Sequence, residues 1–449
     1  MTAFIQSFLN YIEVKSTQIR DNYLLVDFSC KGPAKKFLTD NRFFVQYNVS
    51  IKEVPEQFLL IPFLSTVCPI AWANHTDMYI DVIDKAFLDS LEEIQSLLAA
   101  LFPRIHFNGK THARRIINSS IKPAENSMML FSGGVDSITT YLRHKLENPV
   151  LVSVQGADMR LGDNERWQQF TKETAEFASA NGSKYRNVRS NFYELVNHLT
   201  ATTFHRDLYN EEWWVAIMHG LSFLGLCAPL TILDDVGKLY LATSATKDCN
   251  KPHLSDNPRI DKRIRWGGTI CSHDGYEMSR QQKIYFIAEH ARKHGFSSPI
   301  RSCGKRHLNP EQMKTGNCSS SACEKCSRTI LGLELAGLDP NKYGFQITDG
   351  FFSAVKENLE NHVWNFDEID EFMWGDIQRH ARNRGVLPHD EAEEFIDWLL
   401  RTKLEIVEST NLKQIVRRIA ITASPMFRYF PDILCRINRA VYEHSGLQS

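Results

Sequence analysis

The stretch Phe131-Ser132-Gly133-Gly134-Val135-Asp136-Ser137 constrains this chain more than any other. It joins a short apolar run, MMLF (128–131), to a helical pattern, DSITTYLRHKL (136–146). A strand that enters a helix through two glycines sets the helix's unpaired N–H groups at the end of a sheet. Those groups carry the positive end of the helix dipole, so an anion belongs there. Gly133 and Gly134 lack Cβ atoms and admit a phosphate close to the main chain. Ser132 and Ser137 add hydroxyl donors. Asp136 would repel a phosphate unless Mg2+ lay between them. A plain Gly-Gly turn between strand and helix is the alternative reading.

The pattern around this loop repeats. PVLVSVQG (149–156), KYRNVRSN (184–191) and KLYLATSA (238–245) suit strands. ERWQQFTKETAEFASANG (165–182) and residues 211–228 suit helices. Such alternation predicts right-handed βαβ units and a doubly wound parallel sheet over residues 123–345. At 449 residues the chain exceeds what one core usually organises. Residues 1–122 read as a small N-terminal α/β domain of unknown role. NYLLVDFSC (22–30), FFVQYNV (43–49) and MYIDVID (78–84) are its strands, and AFLDSLEEIQSLLAALF (86–102) its helix. Residues 346–449 read as a C-terminal helical domain, carried by VWNFDEIDEFMWGDIQRHARNRG and DEAEEFIDWLLRTKLEIV.

Charge and apolar content narrow the function classes. Lys plus Arg is 52 against 53 Asp plus Glu, an even balance that argues against a dedicated nucleic-acid binder. The longest apolar candidate, Leu221 to Leu233, is about 13 residues and contains Pro229, short of the roughly 20 a membrane span needs. The first residues, MTAFIQSFLNYIEV, have neither a basic start nor a small-residue cleavage site, so no signal peptide is expected. Ten cysteines are too sparse for a disulfide scaffold. A soluble cytoplasmic protein is the expectation.

Four of those cysteines are concentrated. Cys303, Cys318, Cys323 and Cys326 follow in C-x14-C-x4-C-x2-C order. Four thiolates complete a tetrahedral Zn2+ shell and leave no open position, so such a site is structural. Free or redox thiols are the alternative, and His307 is a possible substitute ligand.

The segment SGGVDS after a strand resembles the signature of the PP-loop ATP pyrophosphatase superfamily. Neither G-x-x-x-x-G-K-[ST] nor G-x-G-x-x-G occurs. The order Gly275-Tyr276-Glu277-Met278-Ser279-Arg280-Gln281-Gln282-Lys283, then Arg301-Ser302-Cys303, the cysteines, Arg328 and Ala336-Gly337-Leu338-Asp339-Pro340 is similar to 7-cyano-7-deazaguanine synthase. Asn317 to Thr329 also resembles a segment of longer, defence-associated or uncharacterised PP-loop proteins. The likeness covers about residues 128–345. It departs in the four-residue gap between Cys318 and Cys323, where the family usually has two, in a longer Cys303–Cys318 loop, and in the flanking domains.

The resemblance implies an adenylating, C–N bond-forming enzyme. It implies Mg·ATP on Ser132, Gly133, Gly134, Val135, Asp136 and Ser137; position at the carboxyl end of the second strand sets Gly156 beside the adenine, or Gly156 is simply a turn residue. Asp136, Arg280 and Lys283 are its catalytic candidates, and the four cysteines hold Zn2+. The substrate is a small-molecule carboxylate, attacked by ammonia or the amine of a protein acceptor; nucleic acid and membrane are not expected partners. Other readings are activation of a different carboxylate, as in a peptidoglycan-precursor glutamate epimerase, tRNA modification, or a non-catalytic nucleotide-sensing subunit. Residues 256–328 hold 14 Lys or Arg against 7 Asp or Glu, either a clamp for polyphosphate or a solvated basic face. His273-Asp274 reads as a base and a Mg2+ ligand, or as a turn. Ser244 and Thr246 face substrate or cap a helix.

Overall fold

Met128 and Met129 are neighbours on one strand, and each enters a different hydrophobic cluster. A strand buried on both faces needs cover on both sides of its sheet. The computed structural model of the chain supplies it, and describes residues 10–119, 124–205, 211–249, 258–303, 308–364 and 368–404.

The strands are β1 (Tyr11–Arg20), β2 (Tyr23–Lys31), β3 (Arg42–Tyr47), β4 (Asp77–Asp84), β5 (Thr111–Ile117), β6 (Asn126–Leu130), β7 (Val150–Gln155), β8 (Tyr185–Ser190), β9 (Val236–Ala242), β10 (Arg265–Trp266) and β11 (Thr269–Asp274). They form one sheet in the order β10-β11-β9-β6-β7-β8-β3-β2-β1-β4-β5. Its centre, β8-β7-β6-β9-β11, is parallel. From β6 the chain steps through β7 to β8 on one side and then crosses to β9 and β11 on the other. The sheet therefore has its switch point at the carboxyl end of β6, where α/β folds open a crevice for ligands.

The main helices are α1 (Ile61–Ala73), α2 (Lys85–Leu101), α3 (Val135–Arg143), α4 (Asn164–Ala180), α5 (His219–Leu226), α6 (Arg280–His294), α7 (Glu324–Leu335), α8 (Phe351–Glu360), α9 (Glu368–Ala381) and α10 (Asp390–Arg401). One apolar cluster joins α1, α2 and α5 to one face of the sheet. The other joins α3, α6 and α7 to the opposite face and continues into α8, α9 and α10.

The sheet is mixed rather than wholly parallel, and it crosses the boundary expected at residue 122. β3 pairs antiparallel with β8, with Val45 opposite Ser190 and Tyr47 opposite Val188. Residues 1–122 thus contribute strands to the common sheet, and Phe43, Phe63, Val188 and Trp214 share one cluster. The line at residue 346 likewise crosses a shared cluster. Of the C-terminal region, residues 405–449 lie outside the described residues.

The helical run Trp214–Leu233 is longer than the expected 13-residue apolar stretch. At 20 residues it is long and apolar enough to cross a membrane, but 78% of its apolar window is buried inside the protein, as in a core helix. α1 is apolar all round, and all thirteen of its residues are buried. That is the pattern of a helix enclosed by its own domain.

Candidate phosphate-binding site and four-cysteine cluster

The loop after β6 has the geometry expected of its sequence. Gly133 has φ +72°, in the left-handed region that favours glycine. Gly134 is the N-cap of α3, and no side chain caps that helix. The N–H groups of the first turn are therefore not taken by a capping residue. Ser137 Oγ donates to Gly134 O at 3.1 Å and lies 3.2 Å from Ser132 Oγ. Ser132 is exposed at the rim, while Val135 is buried and anchors the first turn in the core.

The face opened by the glycines is covered by an arginine. A Cβ on Gly133 would lie 3.0 Å from Arg301 Cδ, and one on Gly134 would lie 3.3 Å from Arg301 O. Arg301 N donates to Gly133 O at 2.8 Å. Its guanidinium lies 4.9 Å from the Phe170 ring centroid. Burial pulls its pKa down to about 10, so it remains a cation at neutral pH. The bare glycines thus admit Arg301, a positive group laid on the loop.

Asp136 is neutralised inside the protein. Lys283 Nζ donates to its Oδ1 at 2.8 Å, and Arg280 donates to its Oδ2 at 3.2 Å. Both cations come from the first turn of α6, which Ser279 and Gln282 cap reciprocally. Three-residue spacing puts Arg280 and Lys283 on the same side of the helix. Lys283, 2% exposed, also donates to Thr243 O beyond β9 and packs its Cε against Gly275 beyond β11. One ammonium therefore ties together the ends of three parallel strands. Burial raises the Asp136 carboxyl, but the charges of Lys283 and Arg280 outweigh it, and the pKa falls below the ordinary carboxylate value. Arg328 lies nearby, paired with Glu324 at 2.9 Å. Lys283, Arg280 and Arg328 thus lie around Asp136 and Glu324, a local surplus of one cation suited to a polyanion.

The four cysteines converge as their spacing suggested. Their sulfurs all lie within 4.8 Å of one another. Cys303 and Cys323 are 3.8 Å apart, Cys318 and Cys326 3.7 Å. A disulfide needs about 2.05 Å. Metal–sulfur bonds of about 2.3 Å in a tetrahedron give edges of about 3.8 Å. The donor set therefore fits a metal ion held by four thiolates. Among the described residues no other cluster of His, Cys, Asp and Glu does so. His307 lies outside the described residues.

Other expected site residues have structural occupations. Gly156 has φ +134°, and a Cβ there would fall 2.0 Å from Ser190 O, so strand packing demands the glycine. Gln155 accepts from Arg189 at 2.7 Å and donates to Arg160 O, sealing the end of β7. Asp274 accepts from Thr140 at 2.8 Å and lies 3.1 Å from His144 Nε2, tying β11 to α3. His273 is fully buried, with Nδ1 2.7 Å from Asp261. Thr246 is buried and accepts from Asp248 N at 3.5 Å within a turn, with no helix directly following it among the described residues; Ser244 is exposed. The basic stretch divides: Arg265 pairs with Glu93 of α2 at 2.7 Å, on a different element from the loop.

Sequence reasoning singled out Arg280 and Lys283 and named Arg301 and Arg328 only within the family-like order, with no individual role for either. The signal for Arg301 was its position two residues before the first cysteine ligand. Comparison with protein families, curated proteins and solved structures found no match to this chain.

Proposed function

We propose that this chain is an ATP-dependent enzyme of the PP-loop type. It cleaves ATP to AMP and pyrophosphate, adenylates a carboxylate oxygen, and passes the acyl group to a nitrogen nucleophile. The observation that carries this reading is the Ser132–Ser137 loop at the switch point of the parallel strands, with buried Lys283 and half-buried Asp136 and Arg280 gathered beneath it.

The charge distribution supports the chemistry. Pyrophosphate gains negative charge as it departs, and Lys283, Arg280 and Arg301 are fixed cations that stabilise it without reorganising. Adenylation helps because AMP leaves far more readily than hydroxide. Asp136 is the carboxylate for Mg2+, which takes most of its ligands from water and phosphate oxygens and so suits a site with one protein carboxylate. Both Asp136 oxygens receive cationic donors, so Asp136 would hold Mg2+ only alongside Arg280 and Lys283, and the ion would supply neutralisation of phosphate charge. The cysteine cluster takes Zn2+ as a closed, structural ion.

The test is mass spectrometry of the protein incubated with ATP and cell extract. AMP and pyrophosphate should form together, with a small carboxylate replaced by its amide or a protein acceptor gaining the mass of an acyl group. ADP formation, or binding of ATP without turnover in the presence of extract, overturns the enzymatic reading.

A further inference from the structure

We infer that the four-cysteine metal site sets the shape of the phosphate loop through Arg301, so that metal occupancy governs nucleotide binding. The inference rests on the reading above only for the loop's ligand; the coupling itself stands on contacts within the chain.

Two routes join the cluster to the loop. The first runs through the segment before Cys303. Arg301 N donates to Gly133 O, and Arg301 side-chain atoms lie on Gly133. Two residues on, Cys303 is a ligand, and Cys303 N donates to Gly316 O at 3.2 Å. Ser302 N donates to Asn317 Oδ1 at 2.8 Å, immediately before Cys318, the second ligand. A Cβ on Gly316 would fall 2.9 Å from Arg301 Cγ, so the turn before Cys318 also clasps the arginine. The second route runs through α7, whose N-cap is Cys323 and whose first turn holds Cys326. Thr329 Oγ1, on that helix, lies 2.7 Å from Ser302 Oγ and accepts from Arg280 at 3.3 Å. Arg280 then reaches Asp136.

The cluster thus closes a ring of three segments, 301–303, 316–318 and 323–329, of which the first touches the loop directly and the last reaches it through Arg280. A metal ion bonded to all four sulfurs would pin the three segments to one another; without it they are joined by hydrogen bonds such as those of Ser302, Cys303 and Thr329, and the segment that carries Arg301 is held less firmly.

Hydrogen–deuterium exchange of the full chain, without nucleotide, tests the coupling directly. Removing the metal with a chelator, or weakening the site with Cys318→Ser, should speed exchange in peptides covering 300–303 and also 131–137. Peptides from β1 and β2 should not change. The inference is overturned if 131–137 keeps its protection while 300–303 and 316–326 lose theirs, or if β1 and β2 loosen equally, which marks global unfolding. Arg301→Ala in metal-loaded protein gives the second arm. It should weaken Mg·ATP binding about tenfold, keep full metal content and leave thermal stability close to wild type, with partial recovery in Arg301→Lys. Unchanged binding in Arg301→Ala also overturns the inference. Failure of the metal-loaded wild type to bind ATP strikes the functional reading instead, because the exchange experiment needs no nucleotide.

Discussion

Replacing Lys283 by Met tests whether the charges under the phosphate loop act as a unit. The ammonium is 2% exposed and donates both to Asp136 and to Thr243 O. Hydrogen bonds to charged groups contribute about 1.5–3 kcal/mol each, and breaking a buried ion pair costs about 3–5 kcal/mol. Met keeps much of the stem's packing, and Arg280 still contacts Asp136 at 3.2 Å. The single variant should therefore lose about 3 kcal/mol. Asp136→Asn, which strands the Lys283 charge, should lose a similar amount. In the double variant neither charge is left unpaired by the other's loss, so the cost should fall short of the sum by about 2 kcal/mol. The assay is a double-mutant cycle from urea unfolding followed by tryptophan fluorescence. Additivity within about 0.5 kcal/mol would refute the argument that Asp136 and Lys283 compensate each other. The pH dependence has a definite sign. The Asp136 pKa is lowered in the folded chain, so its contribution is present above the ordinary carboxylate value and disappears as pH falls through the folded value. Wild type and Asp136→Asn should converge in stability on acidification.

Further outcomes follow from other contacts. Elemental analysis should find about one zinc per chain, and Cys326→Ser should lower that content sharply; less than half an equivalent in carefully purified wild type counts against the cluster. His144 is pulled down by burial but raised more by Asp274 and Glu147, so its pKa lies above the ordinary value. Its stabilisation is complete below the unfolded value and lost as pH rises through the folded one. Melting curves between pH 6 and 8 should show a falling midpoint that flattens in His144→Gln; parallel slopes contradict this. Gly156→Ala forces a Cβ to within 2.0 Å of Ser190 O at φ +134° and should cost about 2–4 kcal/mol, read by urea unfolding. A cost below 0.5 kcal/mol would show that the β7–β8 junction yields.

The centre of the fold was legible because its strands and helices have clear periods and short connections. β6, β7, β8 and β9 fall where the apolar runs place them, and α3 and α4 follow their helical spacing. The flanking regions were harder for identifiable reasons. β5 is Thr-His-Ala-Arg-Arg-Ile-Ile, a largely exposed edge strand with no buried stripe. α1 is apolar on every side and contains Pro69, so it has no amphipathic period to read. The antiparallel pairing of β3 with β8 joins residues more than 140 positions apart, which no local pattern encodes. In the site, Arg280 and Lys283 were visible as an i, i+3 pair, but their target was not. Gly133 was readable as a turn glycine, whereas the group laid on it, Arg301, belongs to a segment far along the chain.

The central claim, that residues 132–137 hold the phosphates of a nucleotide, is tested most directly by calorimetric titration of metal-loaded protein with Mg2+ and a non-hydrolysable ATP analogue. One saturable site should appear per chain. It should vanish in Gly134→Asp, which adds a carboxylate to the loop, while that variant keeps its metal and its circular dichroism spectrum. Undiminished binding in a folded Gly134→Asp protein, or no heat of binding in the wild type, would contradict the account.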